Sequence, residues 1–299
     1  MITLLTPHDW PQYELIDSGG YEKLERFGKY ILRRPEPQAV WSKALPEKEW
    51  ESKAQAYFKK EKGKQLAEGN ERGQWLLKPD MPEQWFIPYS YKGMTIQFRL
   101  GLTAFKHIGI FPEQAVNWNY IYDQLSGNNY QAKVLNLFAY TGGASLAAKA
   151  AGADVTHVDS VKPVLNWSRE NMEASGLDNI RWVLEDALKF VKREAKRGNT
   201  YSGIILDPPA YGRGPDGEKW VLEENIAELM DALAVILDEK DAFCVLNLYS
   251  MGFSSLIAEN LMNDYFPGKK TMEYGELYVK DQAQRRLPLG VFCRFNRKI

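Results

Sequence analysis

The hydrophobic pattern changes character partway along the chain. Beyond residue 130, short apolar runs alternate with longer stretches whose apolar residues recur at helical spacing. Val134 to Phe138 is apolar enough to predict a strand buried on both faces. Ala139-Tyr140-Thr141-Gly142-Gly143 interrupts it, and a helical pattern follows from Ala144 to Ala151, closed by Gly152. The alternation then repeats. Strands are predicted over 154–158, 180–184, 201–206 and 242–248, and helices over 161–175, 187–196, 221–237 and 254–265. Two further strands, near 271–279 and 290–296, close the pattern. Strands alternating with helices in this way predict an α/β fold with a parallel sheet.

The first 130 residues read differently. Tryptophans and prolines are scattered through them, and Thr95 to Leu100 alternates with period two after a Lys92-Gly93 turn. Glu47 to Ala67 is charged and rich in helix formers, and Trp50, Ala54, Tyr57 and Phe58 are spaced as one helical face. The expectation is a small, mostly β N-terminal domain with its lead-in over residues 1–125, and a second domain over 126–299.

Composition narrows the class without naming a function. Of 299 residues, 44% are hydrophobic and 26% charged, as in an ordinary globular protein. No apolar run approaches the roughly 18 residues of a membrane helix. The N-terminus lacks the basic start and apolar core of a signal peptide. The cytoplasm is therefore the expected compartment, with no membrane partner. Cys244 and Cys293 lie in apolar, strand-like runs and read as buried thiols, so no metal site is expected. The net charge of −1 lacks the basic balance common in nucleic-acid-binding domains, although a local patch can suffice.

Candidate chemistry gathers at strand ends. The strand, glycine turn and helix at 134–151 form a crevice of the kind that binds ligands in open α/β sheets. Asp159 follows about twenty residues past the turn, placed to accept hydrogen bonds from ribose hydroxyls. The next two strands end in Glu185-Asp186 and in Asp207-Pro208-Pro209-Ala210-Tyr211. Successive polar tips of this sort describe a nucleoside-type cofactor site. Asp159 and Asp186 each have an alternative role as a cap of the following helix.

These same pieces, with Asn136-Leu137-Phe138 before the turn and Asn247-Leu248-Tyr249-Ser250 later, resemble class I S-adenosylmethionine (SAM) methyltransferases. Within them the chain is similar to the branch of bacterial large-subunit ribosomal RNA methyltransferases. The resemblance implies a Rossmann-like, seven-stranded methyltransferase sheet behind the smaller β domain, SAM as cofactor and RNA as substrate. It implies that Asn136, Phe138 and Ala139 through Gly143 line the methionine arm, and that Asp159, Ser160 and Val161 hold the ribose edge. Asp186 and Ala187 would then meet the adenine. Phe111 and Gln114, in the segment from Gly109 to Trp118, match a stretch that folds over the cofactor in that branch, without its usual arginine after the glutamine.

Asp207, Pro208, Pro209 and Tyr211 form the implied catalytic end, with the prolines stiffening the backbone and the tyrosine stacking on the target. Gly212, Gly214 and Gly217 suggest a mobile lid, and Arg213 and Lys219 offer phosphate contacts. Relatives that make 5-methylcytosine use a cysteine after the fifth strand, where this chain has Ser250. That favours a nitrogen or oxygen acceptor, which needs only alignment and a proton acceptor. Arg33 and Arg34 with Trp41, and Arg285 and Arg286, are further phosphate candidates whose alternative is a solvated face or turn. A nicotinamide oxidoreductase would want Gly-x-Gly-x-x-Gly where Ala-Tyr-Thr-Gly-Gly-Ala stands. Methylation of a protein or small molecule, and non-catalytic RNA binding, are the remaining alternatives.

Overall fold

Period-two alternation in the first hundred residues folds as strands. The computed structural model describes residues 1–8, 10–61, 72–127, 131–249 and 253–297. Strands β1 (Thr3–Leu5), β2 (Tyr13–Gly19), β3 (Glu22–Phe27) and β4 (Tyr30–Pro35) precede helix α1 (Glu47–Lys53). Strands β5 (Ala56–Lys60) and β6 (Gly73–Leu77) complete a five-stranded sheet in the order β2-β3-β4-β5-β6. Strands β7 (Gln84–Tyr91) and β8 (Met94–Gly101) form a hairpin around Lys92, whose φ of 49° makes the expected turn.

The helix expected from Glu47 to Ala67 is shorter than its pattern. It stops at Lys53, Ala54 is extended, and Ala56 and Phe58 bury on alternate positions of β5. Pairing of β5 with both β4 and β6 overrides helix propensity there. Residues 62–67 lie outside the described residues.

The second half follows the predicted alternation closely. After a 3₁₀ turn at Pro112–Gln114 come α2 (Ala115–Leu125), β9 (Lys133–Leu137), α3 (Gly143–Ala150), β10 (Asp154–Asp159) and α4 (Lys162–Ala174). Next are β11 (Ile180–Leu184), α5 (Ala187–Arg197), β12 (Gly203–Leu206), β13 (Tyr211–Arg213), β14 (Lys219–Val221) and α6 (Leu222–Ile236). The chain ends with β15 (Ala242–Leu248), α7 (Ser255–Tyr265), β16 (Thr271–Lys280) and β17 (Arg286–Arg297).

The large sheet runs β1-β16-β17-β15-β12-β9-β10-β11. Seven of its eight strands make the expected Rossmann-like sheet, with β17 antiparallel to both neighbours. The eighth, β1, pairs in parallel with β16 and ties the start of the chain to this sheet. Gly275 permits that pairing, since a Cβ there would fall 1.7 Å from the Thr3 carbonyl oxygen. Strand order reverses at β9, flanked by β12 and β10, and this is the point where open α/β sheets bind ligands.

Two cores cover the two faces. Val134 and Ile205 pack into a core with Leu146, Ile121 and Phe98, whereas Leu135 and Ile204 pack with Phe190 and Leu229. Each such fully buried side chain contributes roughly 1.5–3 kcal/mol. At the C-terminal hairpin, Arg285 pairs with Asp17 and Asp281, and Ser18 Oγ donates to Asp281 at 2.8 Å. Arg285 is therefore a tie between N-terminal sheet and hairpin, not the rim phosphate ligand its position suggested. Arg286 stacks over Tyr278, 5.4 Å from the ring centroid.

Candidate cofactor and catalytic site

The turn after β9 is held in an unfavourable backbone shape. Phe138 and Tyr140 have φ of 53° and 48°, and Gly142 has φ of 91°. Left-handed non-glycine residues cost on the order of 1–3 kcal/mol each, and they cluster at ligand clamps. Surrounding bonds hold them. Thr141 Oγ1 donates to the Gly109 carbonyl at 2.7 Å, Ser168 Oγ donates to the Tyr140 carbonyl at 2.6 Å, and Asn171 Nδ2 donates to the Thr141 carbonyl at 2.9 Å. Gly142 meets the conformational need. Gly143 meets a packing need instead, because a Cβ there would lie 2.7 Å from the Trp118 ring.

Asn136 is buried, and its amide donates to Ser145 Oγ at 2.9 Å, which in turn lies 3.0 Å from His157 Nδ1. Burial pulls the His157 imidazole down to about 3, so it stays neutral beneath the turn. This histidine was not singled out from sequence; a lone His inside an apolar strand was its only signal.

At the tip of β10, Asp159 Oδ2 accepts the Tyr140 backbone N–H at 2.9 Å and Oδ1 accepts that of Val161 at 2.9 Å. Burial pushes its carboxyl up to about 6 against the opposing pull of these donors. Each oxygen keeps a second acceptor position, so backbone bracing and ribose binding are compatible. Ser160 follows directly, and Val161 is 46% exposed, an apolar surface at the crevice lip. At the next tip Asp186 is buried, and its Oδ1 caps α5 by accepting the Lys189 N–H at 2.9 Å. Ala187 is buried beside it.

Asp207 ends β12, next to β9 in the sheet. Burial alone pushes its carboxyl up to about 6, and it has no hydrogen-bond or ion-pair partner among the described residues. Pro208 is buried and Pro209 exposed, and the Pro209 carbonyl accepts Trp220 Nε1 at 2.7 Å. Tyr211 is 38% exposed.

The glycine-rich stretch beyond is an ordered hairpin in this structure. It forms the β13–β14 hairpin, pinned by Trp220 and by Lys189 Nζ, which bonds Asp216 at 2.9 Å and Glu218 at 3.1 Å. Arg213 is exposed opposite Lys219.

The segment before α2 does fold against the turn. Gly109 has φ of 96°, and a Cβ there would lie 2.2 Å from Trp167. The Phe111 ring is 5.4 Å from that of Tyr140 and 6.5 Å from that of Tyr249, at the tip of β15. Gln114 instead accepts Asn117 Nδ2 at 2.9 Å, and the same amide donates to Asn247 at 2.9 Å. Glu113, unnoticed in the sequence, is buried near Lys23, Glu25 and Glu36, and burial pushes it up to about 7.

Other candidates fall away from the site. Arg34 is buried on Glu25 at 2.5 Å, Arg33 pairs with Glu22 and Glu47, and Trp41 Nε1 donates to the Ser18 carbonyl at 3.0 Å. The pair is held by carboxylates from neighbouring elements, so it does not form a phosphate site with Trp41. Cys244 and Cys293 are buried free thiols; burial pushes the first well up and the second to about 12. Ser250 lies outside the described residues. Among the described residues no cluster of His, Cys, Asp and Glu could hold a metal, and no helix is long and apolar enough to cross a membrane.

Residues 71–260 match the family model described as S-adenosylmethionine-dependent methyltransferase. A SAM-dependent methyltransferase structure from Agrobacterium tumefaciens is similar at a TM-score of 0.89 and 38% identity, covering 99% of this chain and 94% of that one. Ribosomal RNA large subunit methyltransferase K/L of Shewanella frigidimarina is 32% identical over 145 residues, 47% of this chain and 20% of that protein. Ribosomal RNA large subunit methyltransferase I of Photobacterium profundum is 40% identical over 82 residues, 26% of this chain and 21% of that protein. The matches thus span about a fifth of the length of these two curated relatives.

Proposed function

The chain belongs to the S-adenosylmethionine-dependent methyltransferase family, and from that premise we propose that it methylates RNA, with large-subunit ribosomal RNA as the favoured substrate. The acceptor in this reading is a base nitrogen or another atom that needs no cysteine adduct. SAM, once bound, supplies an electrophilic methyl on a sulfonium. The chain's own residues do the rest. The β9 turn gives the methionine arm its backbone wall, Asp159 receives the ribose hydroxyls, and Val161 and Asp186 bound the adenine. The crevice fits such a molecule because its carboxylates keep acceptor capacity and its lip is apolar.

One observation carries the catalytic part. Asp207 is a half-buried carboxyl without a partner among the described residues, next in the sheet to the β9 turn and four residues before exposed Tyr211. A half-buried carboxylate that the protein leaves unpaired keeps its acceptor positions for a ligand. In this reading it accepts an N–H of the target and aligns the lone pair with the methyl, while Tyr211 and Phe111 stack on the ring. Residues 1–125 form the smaller unit beside the catalytic one at 126–299, with β1 joining them. The reading places the protein in the cytoplasm with its RNA.

Names of the relatives support RNA; the −1 net charge gives no general attraction to it. Mass mapping of ribosomal RNA from cells lacking the protein tests the proposal. A base that loses its methyl group supports it and names the acceptor. An unchanged methylation map rejects ribosomal RNA as substrate.

A further inference from the structure

Helix α5 concentrates a charge that the whole chain lacks. Five of its residues are Lys or Arg against Glu194 alone, while the chain as a whole is at −1. Lys189, Lys192, Arg193 and Lys196 recur at i, i+3, i+4 and i+7, so they form one stripe along the helix. That stripe lines a crevice of about 520 Å³ whose opposite wall is the β14 end of the hairpin, with Lys219, and Asn225 of α6. Five cations thus face the crevice against two carboxylates, Asp186 and Glu218.

The position of the crevice matters as much as its charge. One end is Asp186, the adenine-side aspartate, and the hairpin beside it begins at Tyr211. The stripe from Lys189 to Lys196 spans about 10 Å at 1.5 Å per residue. That is the length of roughly three stacked nucleotides at 3.4 Å each. Four of these five cations already rest on carboxylates: Lys189 on Asp216 and Glu218, Arg193 on the mostly buried Glu185, Lys192 on Glu228 and Lys219 on Glu224, the last two pairs being exposed. Exposed pairs of this kind are worth at most about 1 kcal/mol, so a phosphate can replace the carboxylate readily.

The geometry points to the α5–hairpin crevice as the seat of an RNA strand flanking the methylated base, with Lys192, Lys196 and Lys219 contacting its phosphates. The inference rests on the RNA reading above and adds where the backbone lies. Phosphate contacts fix register and orientation without reading sequence, which is what a site that extracts one base from a strand requires.

The test uses the full chain carrying Lys192→Gln, Lys196→Gln and Lys219→Gln together, titrated with unmodified large-subunit ribosomal RNA transcribed in vitro over a range of salt. A Lys48→Gln/Lys53→Gln variant on α1 is the control. Circular dichroism and SAM affinity by calorimetry check fold and cofactor site. The expected result is RNA affinity reduced roughly tenfold or more at about 0.1 M salt, with the log–log salt slope smaller by about 2. SAM affinity stays within about twofold, and the control behaves as the unsubstituted chain. An unchanged affinity and slope, an equal loss in the control, or a matching loss of SAM affinity overturns the inference alone. If the unsubstituted chain neither binds nor methylates RNA, the RNA reading falls and takes the inference with it.

Discussion

The Asp159 carboxylate accepts the backbone N–H of Tyr140 at 2.9 Å, across the gap between two adjacent strand tips. Its other oxygen accepts the Val161 N–H at 2.9 Å. One side chain therefore braces the left-handed turn and leaves acceptor positions for a ribose. Asp159→Asn keeps an acceptor oxygen but loses the charge. Charge-assisted bonds are worth about 1.5–3 kcal/mol, so SAM affinity falls about ten- to a hundredfold by calorimetry. Asp159→Ala falls at least as far and also lowers the melting temperature, because the turn loses its brace.

Asp207 and Tyr211 divide alignment from cofactor binding. Asp207→Asn lowers the single-turnover methyl-transfer rate on the order of a hundredfold or more, with SAM affinity within about threefold. Tyr211→Ala lowers kcat/KM through weaker stacking and leaves stability unchanged, since the ring is 38% exposed. The Asp207 carboxyl is pushed up to about 6 and acts as an acceptor when ionised. The rate accordingly rises with pH through about 6 and levels off above it. In the Asp207→Asn variant that rise is lost from single-turnover rates measured at saturating SAM. A rise that persists there contradicts the assigned role.

Glu113 makes stability depend on pH in a stated direction. Its carboxyl is pushed up to about 7 by burial, with Glu25 and Glu36 adding to the rise and Lys23 opposing it. The folded state thus holds this proton more tightly than the unfolded chain does. The associated stability is fully present below the ordinary carboxyl range and is lost as pH rises through about 7. Glu113→Gln removes the penalty of ionisation. Denaturant melts then show the variant more stable than the unsubstituted chain at pH 8 by about 1–3 kcal/mol, with the difference closing towards pH 4.5. A constant difference at all pH values contradicts this account.

The two thiols give a simpler prediction. Cys244 and Cys293 are both buried, and burial disfavours their thiolates. Iodoacetamide at pH 8 therefore labels neither in the folded protein, and methyl transfer survives the treatment. Rapid labelling with loss of transfer contradicts the non-cysteine reading of the reaction.

Signals carried by neighbouring residues were legible in the sequence, and signals carried by distant partners were not. Apolar runs ending at Asp159, Asp186 and Asp207 placed three strand tips, because burial and glycine stops act locally. Arg285 looked like a rim cation until its partner Asp17, 268 residues away, entered the picture. Arg34 looked available for phosphate, although Glu25 on the adjacent strand holds it. The helix expected from Glu47 stops at Lys53, and the glycine-rich stretch after Tyr211 pairs as a hairpin, for a shared reason: ladder bonds of β5 and of β13–β14 are tertiary choices that propensity does not reveal. Gly143 shows the subtler case. Its role reads as ligand clearance until Trp118 is seen against it.

The claim that adjacent strand tips grip one sulfonium nucleoside is tested most directly by a crystal structure of the chain with S-adenosylhomocysteine. The account predicts both ribose hydroxyls within about 3 Å of the Asp159 carboxylate, the adenine between Val161 and Asp186, and the sulfur facing Asp207. A ligand bound away from the β9 turn, or in it with the sulfur directed away from Asp207, contradicts the account.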